Sequence, residues 1–304
     1  MGHFIFPALA LRLATEMIAE LNSAFGNDSV EFIAGEGGLA KAVICNELAQ
    51  AEVYLHGGHV AAFRPVGAEE VLWMSKEAVF VPPKAIRGGV PVCWPWFGPK
   101  KGFPQHGFAR NREWTVRSTG DGELTLGLSD SDETRALWPH AFDLELTVVV
   151  GAQLRMELRS RNSGVEPIEV GGALHTYFTV GAIDHIAIHG LEDSEYLDSL
   201  VGGERKSQDG PVTFSGEVDR IYLDRATCTE IDDPVLQRRI RVGKEGSATT
   251  VVWNPWIAKS AAMGDFPNAG YQSMVCIETA NAADDMHALQ PGEEHVLTQT
   301  VELV

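Results

Sequence analysis

Between residues 142 and 161 the chain alternates apolar and polar side chains along two successive segments joined by Gly151-Ala152-Gln153. In the first, Phe142, Leu144, Leu146 and Val148 alternate with Asp143, Glu145 and Thr147. In the second, Leu154, Met156 and Leu158 alternate with Arg155, Glu157 and Arg159. A period of two sends successive side chains to opposite faces, so each segment reads as a strand with one buried and one wet face. A short glycine-containing link between them suits an antiparallel hairpin.

Further strands are expected at 30–34, 42–46, 53–55, 114–118, 124–128, 168–171, 220–223, 249–253, 274–278 and 295–304, separated by turn residues at short intervals. Long helical patterns are absent after residue 24. Many short strands with Gly/Pro-rich turns indicate a sandwich or barrel. No linker, low-complexity stretch or internal repeat interrupts them. The expectation is an all-β fold: one large antiparallel β-sandwich over residues 30–304.

The 304 residues are 44% apolar and 22% charged, ordinary values for a globular protein. A chain this long buries roughly three quarters of its unfolded surface, so no metal or disulfide is needed to hold a core. Its net charge of −18 disfavours nucleic acid and anionic membrane as partners. Cys45, Cys93, Cys228 and Cys276 are far apart and form no Cys-x-x-Cys pair, which fits free thiols in a reducing compartment. The apolar N-terminus lacks a basic n-region, and Arg12 and Glu16 interrupt it, so 1–29 reads as a helical extension (helix at about 8–24) that packs on the sandwich. No apolar run reaches the roughly 18 residues of a membrane span. The expected location is the cytoplasm.

Residues 78–112 carry six cations (Lys84, Arg87, Lys100, Lys101, Arg110 and Arg112) and no acid. A cationic window in so acidic a chain suits a small anion, and the arginine fork matches phosphate. Lys100 and Lys101 read as loop charges; Arg87 and Arg110, beside Gly or Ala, read as side chains that can point into a cleft. Trp94, Trp96, Phe97, Phe103 and Phe108 share this window and could wall a sugar pocket or cap the core.

Six strings, IRGGVPVCWPWFG (86–98), PQHGFARNREW (104–114), ALHTYF (173–178), VDRIY (218–222), VVWNPWIAKSAAMGDF (251–266) and MVCIETAN (274–281), together resemble the hexose-6-phosphate mutarotases, or glucose-6-phosphate 1-epimerases, which are similar to aldose 1-epimerases. They keep that family's order from about residue 50 onward. The resemblance implies a galactose mutarotase-like supersandwich with a sugar cleft on one face, a hexose 6-phosphate as substrate, and no metal or organic cofactor. It places the catalytic pair on His175 and Glu278. It places substrate contacts on Arg87, Gln105, Arg110 and Asp219, and likens His106 to the second site histidine of the wider group. Residues before 30 do not resemble the family core.

The residue types fit the chemistry. Anomer exchange needs a base for the O1 proton and an acid for the ring oxygen, then rotation about C1–C2 and closure on the other face. A carboxylate suits the first role and a protonated imidazole the second, each contributing roughly 10²–10⁴-fold. His56-Gly-Gly-His59 lacks a third ligand and reads as a turn, not a metal pair. No dinucleotide or phosphate-loop motif appears. Two alternatives stand beside the phosphosugar epimerase: an aldose 1-epimerase for neutral sugars, and a sandwich that binds carbohydrate without catalysis. A monomer is expected.

Overall fold

The computed structural model describes residues 5–224 and 226–304, with side chains from residue 15 onward; residues 1–4 of the expected extension lie outside the described residues. The hairpin forms as the alternation requires. Phe142–Val150 pairs antiparallel with Gln153–Asn162, from Phe142 opposite Asn162 to Val150 opposite Leu154. Along it Leu144, Leu146, Val148, Leu154, Met156 and Leu158 are buried.

This hairpin is the middle of an eight-stranded sheet. Its order is Ala187–His189, Cys228–Asp233, Arg238–Glu245, Glu294–Leu303, Gln153–Asn162, Phe142–Val150, Glu123–Ser129 and Thr115–Gly120. A second eight-stranded sheet runs Glu204–Ser207, Glu195–Asp198, Val218–Leu223, Thr249–Asn254, Met274–Asn281, Gly172–Leu174 and Val92–Cys93, with Tyr177–Thr179 also paired to Met274–Asn281. All pairings within both sheets are antiparallel, and one apolar cluster containing Leu146, Met156, Leu174, Val252, Ile277 and Leu297 joins them. A four-stranded sheet (Val30–Ala34, Ala40–Cys45, Ala49–Tyr54, His59–Pro65) contributes Phe32, Ile44 and Phe63 to the same cluster. The structure is thus a large antiparallel β-sandwich with an N-terminal helix, as expected.

The helix spans Ile5–Phe25 and is docked. Ile18, Leu21 and Phe25 pack against the core, and the Asn22 amide exchanges two hydrogen bonds with the Phe32 backbone (2.7 and 2.8 Å). Phe25 also accepts a bond from the Thr119 hydroxyl. The helix therefore lies along an edge strand of the four-stranded sheet and an edge strand of the first large one, covering both. Among the described residues no helix is long and apolar enough to cross a membrane.

Two short helices, Asp132–Leu137 and Trp256–Ala262, lie below the length at which periodicity signals them. The His56–His59 segment is a turn: Gly57 and Gly58 both have positive φ, and both histidines are buried.

Candidate active site

The outer face of the second large sheet is built in rows. Asp219 lies opposite Trp253, Trp253 opposite Cys276, and Cys276 opposite Tyr177. Two residues along, Ile221 faces Val251 and Val251 faces Glu278. Leu174 pairs with Thr279 and Tyr177 with Cys276, so the register carries His175 opposite Glu278. Directly opposed residues share a face, as do residues two apart on one strand. These rows are the floor of a cavity of about 540 Å³ whose lining includes all seven residues singled out in the sequence: Arg87, Gln105, His106, Arg110, His175, Asp219 and Glu278.

His175 and Glu278 are 7% and 1% exposed, with His175 Nε2 3.4 Å from Glu278 Oε1. Each keeps a buried polar atom without a hydrogen-bond partner, Nδ1 on the histidine and Oε2 on the carboxyl. Burial pushes the Glu278 carboxyl well above the usual carboxylate range, and the nearby Asp219 adds to it. Burial likewise pushes His175 well down, helped by His106, Arg110 and Arg87. The imidazole is clamped flat against Tyr177 (ring centroids 4.9 Å apart, planes at 12°) and edge-on to Trp253. Close packing also explains the small residues before it: a Cβ on Gly172 would lie 2.5 Å from the Cys93 carbonyl, so neighbouring backbone, not a ligand, requires that glycine.

His106 enters from the opposite wall. It sits at φ 62, a left-handed conformation uncommon outside glycine. The next residue, Gly107, runs against the Trp94 carbonyl, where a Cβ would lie at 1.9 Å. The Gly98 N–H donates to His106 Nδ1 at 3.2 Å, so the neutral ring carries its proton on Nε2. Burial and the adjacent Arg110 and Arg87 lower its pKa to about 3, which keeps that ring neutral.

The two arginines differ. Arg87 donates from Nε and Nη2 to Asp265 (both 3.2 Å) and from Nη1 to the Tyr177 hydroxyl (3.0 Å), so three of a guanidinium's five donors are engaged. Arg110 donates from Nη2 to the Gln105 carbonyl (2.9 Å), and its Nε is buried without a partner. Both also line an adjoining cavity of about 450 Å³ with Lys84, Asn111 and Asp265. Asp219 does not pair with its neighbour Arg220; Lys259 approaches it at 3.6 Å.

Of Trp94, Trp96, Phe97, Phe103 and Phe108 only Phe97 lines the cavity. Trp94 and Phe108 are core residues, Trp94 bonded to Ser160, while Lys100 lies over Trp96 at 4.5 Å. The aromatic walls come instead from Tyr177 and Trp253. Sequence reasoning missed these two, together with Lys259 and the Asp265 partner of Arg87. Tyr177 was findable, because it stands two residues from His175 on the same face. Trp253 was not, because its place depends on pairing with distant strands.

Among the described residues one group has the make-up of a metal site: His175, Cys276 and Glu278, with ligand atoms within 4.8 Å of one another. Burial raises the Cys276 thiol well above its ordinary range.

The family model for aldose 1-epimerase matches residues 41–302. A protein of Escherichia coli strain K12 named "Putative glucose-6-phosphate 1-epimerase" is 41% identical over 261 residues, covering 84% of this chain and 87% of that one. A protein of the same name from Cenchrus ciliaris is 39% identical over 258 residues, covering 80% and 78%. The crystal structure of a Salmonella typhimurium protein described as a "putative mutarotase" superposes with a TM-score of 0.85 at 35% identity, covering 91% of this chain and 94% of that one. Fold, cleft and sequence agree: the chain belongs to the aldose 1-epimerase family.

Proposed function

We propose that this chain is a hexose-6-phosphate 1-epimerase that interconverts the α and β anomers of glucose 6-phosphate, with Glu278 as base and His175 as acid. One observation carries the reading: a buried carboxyl and imidazole 3.4 Å apart on a cavity floor, each with an unpartnered polar atom. Ring opening moves a proton from O1 to Glu278 and another from His175 to the ring oxygen. It turns a charged pair into a neutral one without changing the pair's proton count. Burial makes the carboxylate a stronger base and the imidazolium a stronger acid, so the same desolvation that penalises the charges drives their discharge as the C1–O5 bond breaks. The open aldehyde rotates about C1–C2, and the reverse transfers close the ring. His106 Nε2–H and the Gln105 side chain donate to sugar hydroxyls, and Asp219 accepts from them. Arg110, with most of its donors free, takes the phosphate together with the two remaining donors of Arg87. The names of the 41% and 39% identical relatives support glucose 6-phosphate.

A second reading, an epimerase for neutral aldoses, is favoured by the engagement of Arg87 with Asp265. Anomer exchange followed by NMR at equal concentrations of glucose 6-phosphate and glucose separates the two. Exchange of the phosphosugar alone is expected; equal exchange of both sugars makes the arginines wall residues, and exchange of neither overturns catalysis. We further take residues 30–304 as one catalytic unit, since all seven site residues lie within it, and expect it to act as a monomer. Four unpaired cysteines support a reducing, cytoplasmic setting.

A further inference from the structure

Gln299 lies in Glu294–Leu303, on the inward face that also carries Leu297 and Val301, and is fully buried. An amide in an apolar row is costly unless its hydrogen bonds are made. Its side-chain partners all lie on the facing sheet or in the link beside it, and all adjoin His175 or Glu278. Its Nε2 donates to Thr279 Oγ1 at 3.0 Å and to the Ile277 carbonyl at 3.4 Å, while its Oε1 accepts from the Thr176 hydroxyl. The Ile277 carbonyl can only accept, which fixes which end of the amide is nitrogen.

The backbone explains why such a tie is needed. Between Gly172–Leu174 and Tyr177–Thr179 the ladder is interrupted: the Thr176 N–H turns back to the Leu174 carbonyl (3.0 Å), and the His175 N–H goes to Pro91 (3.1 Å). The Thr176 carbonyl still receives the Ile277 N–H at 3.2 Å. His175 therefore sits on a kinked link beside an unbroken strand, and regular pairing does not hold its distance from Glu278. We infer that Gln299 is a positioning residue, reaching across the sandwich to fix the separation of His175 and Glu278 by bonding to residues 176, 277 and 279. This inference rests on the acid–base reading given above.

Gln299→Met keeps the length of the side chain and removes its hydrogen bonds; Thr176→Val removes only the hydroxyl. Misplacing a reacting group by about 1 Å costs on the order of 10²-fold. Each variant is expected to lower kcat for glucose 6-phosphate about 10- to 100-fold with KM within about twofold. Thr176→Ser, which restores the hydroxyl, is expected to recover most of kcat. The double variant Gln299→Met/Thr176→Val should be little worse than the poorer single one, because both cut the same tie. A kcat within twofold of the parent in folded protein overturns the inference, and if Gln299→Met fails to fold, Thr176→Val decides. The His175 ring resonances, identified by their loss in His175→Ala, give a readout that needs no turnover. They should move in Gln299→Met while those of His287 stay. If the parent protein exchanges no anomers, the proposed function falls, but unmoved His175 resonances are what would sink the positioning role.

Discussion

The two eight-stranded sheets carry their polar groups in opposite ways. On the sheet built around Phe142–Val150 and Gln153–Asn162, charges stand on the wet face in ion pairs: Arg155 with Glu157 (2.6 Å), Arg159 with Glu294 (2.8 Å), Arg241 with Glu302 (3.3 Å). Over the sheet built around Met274–Asn281, the cleft holds two carboxyls, two imidazoles and two guanidiniums, with buried atoms of His175, Glu278 and Arg110 left unpartnered. Between the sheets lies a third arrangement: Lys244, from the first, is bonded to Asp224 (2.9 Å) and to Thr250 of the second (2.9 Å), with the lysine and aspartate side chains 5% and 1% exposed and Asp224 Oδ2 left without a partner. Exposed pairs cost little and give little, a buried ion pair between the layers holds them in one alignment, and a buried pair open to the cleft is placed where stability can be given up for reactivity.

The largest effects should come from the open pair. Glu278→Gln and His175→Ala are each expected to slow anomer exchange about 10²–10⁴-fold. Glu278→Gln should at the same time leave the melting temperature unchanged or raised, because a group that burial penalises when charged has been made neutral. A fall in melting temperature would show that Glu278 supports the fold and would break the contrast between the two buried pairs.

Lys244→Met should do the reverse. Leaving Asp224 buried without its cation is expected to cost about 3–5 kcal/mol in urea unfolding, with anomer exchange retained in the fraction that folds. Arg87→Ala tests the rim of the cleft: a charged hydrogen bond of about 1.5–3 kcal/mol predicts a KM for glucose 6-phosphate raised roughly ten- to hundredfold, and an unchanged value for glucose. An unaltered KM for the phosphosugar would assign Arg87 to Asp265 alone.

His59, outside the cleft, gives one share of the pH dependence. It is buried, its Nε2 has no partner, and burial with some help from His56 lowers its pKa to about 3. Below about pH 6.5 the unfolded chain takes up a proton that the folded chain refuses, so stability falls as pH drops from there toward 3, by about 1.4 kcal/mol per pH unit for this one group. His59→Asn should flatten that slope between pH 6 and pH 4 by the same amount, measured by urea titration. The smallest effect belongs to the wet face, where Arg241→Ala is expected to change stability by no more than about 1 kcal/mol, and by less in high salt.

Legibility followed the same division. The regular sheet could be read from period two, because Phe142–Val150 and Gln153–Asn162 are long and half exposed. The cleft sheet could not be read in that way. Gly172–Leu174, Tyr177–Thr179 and Val92–Cys93 have only two or three residues each and are almost wholly buried, so no alternation survives. Those segments were located by their resemblance to a family, which also supplied His175 and Glu278. It could not supply the engagement of Arg87 by Asp265, which depends on a side chain 178 positions away. Nor could it distinguish Trp94, a core residue, from Trp253, a cavity wall, because both stand in apolar, Pro-containing strings.

The cross-strand rows of the cleft floor have a consequence for how such a protein can change over generations. Glu278 faces the cavity only because it stands an even number of places from Cys276 and opposite Val251. A residue inserted or lost within Met274–Asn281 would turn the carboxyl inward and bring Ile277 or Thr279 out, erasing the chemistry in one step. Length changes in the segment 98–104, which leads from Trp96 and Phe97 to Gln105 and His106, leave those rows untouched. Under the proposed function, remodelling the rim could therefore change which sugar fits while the register that presents Glu278 stays intact.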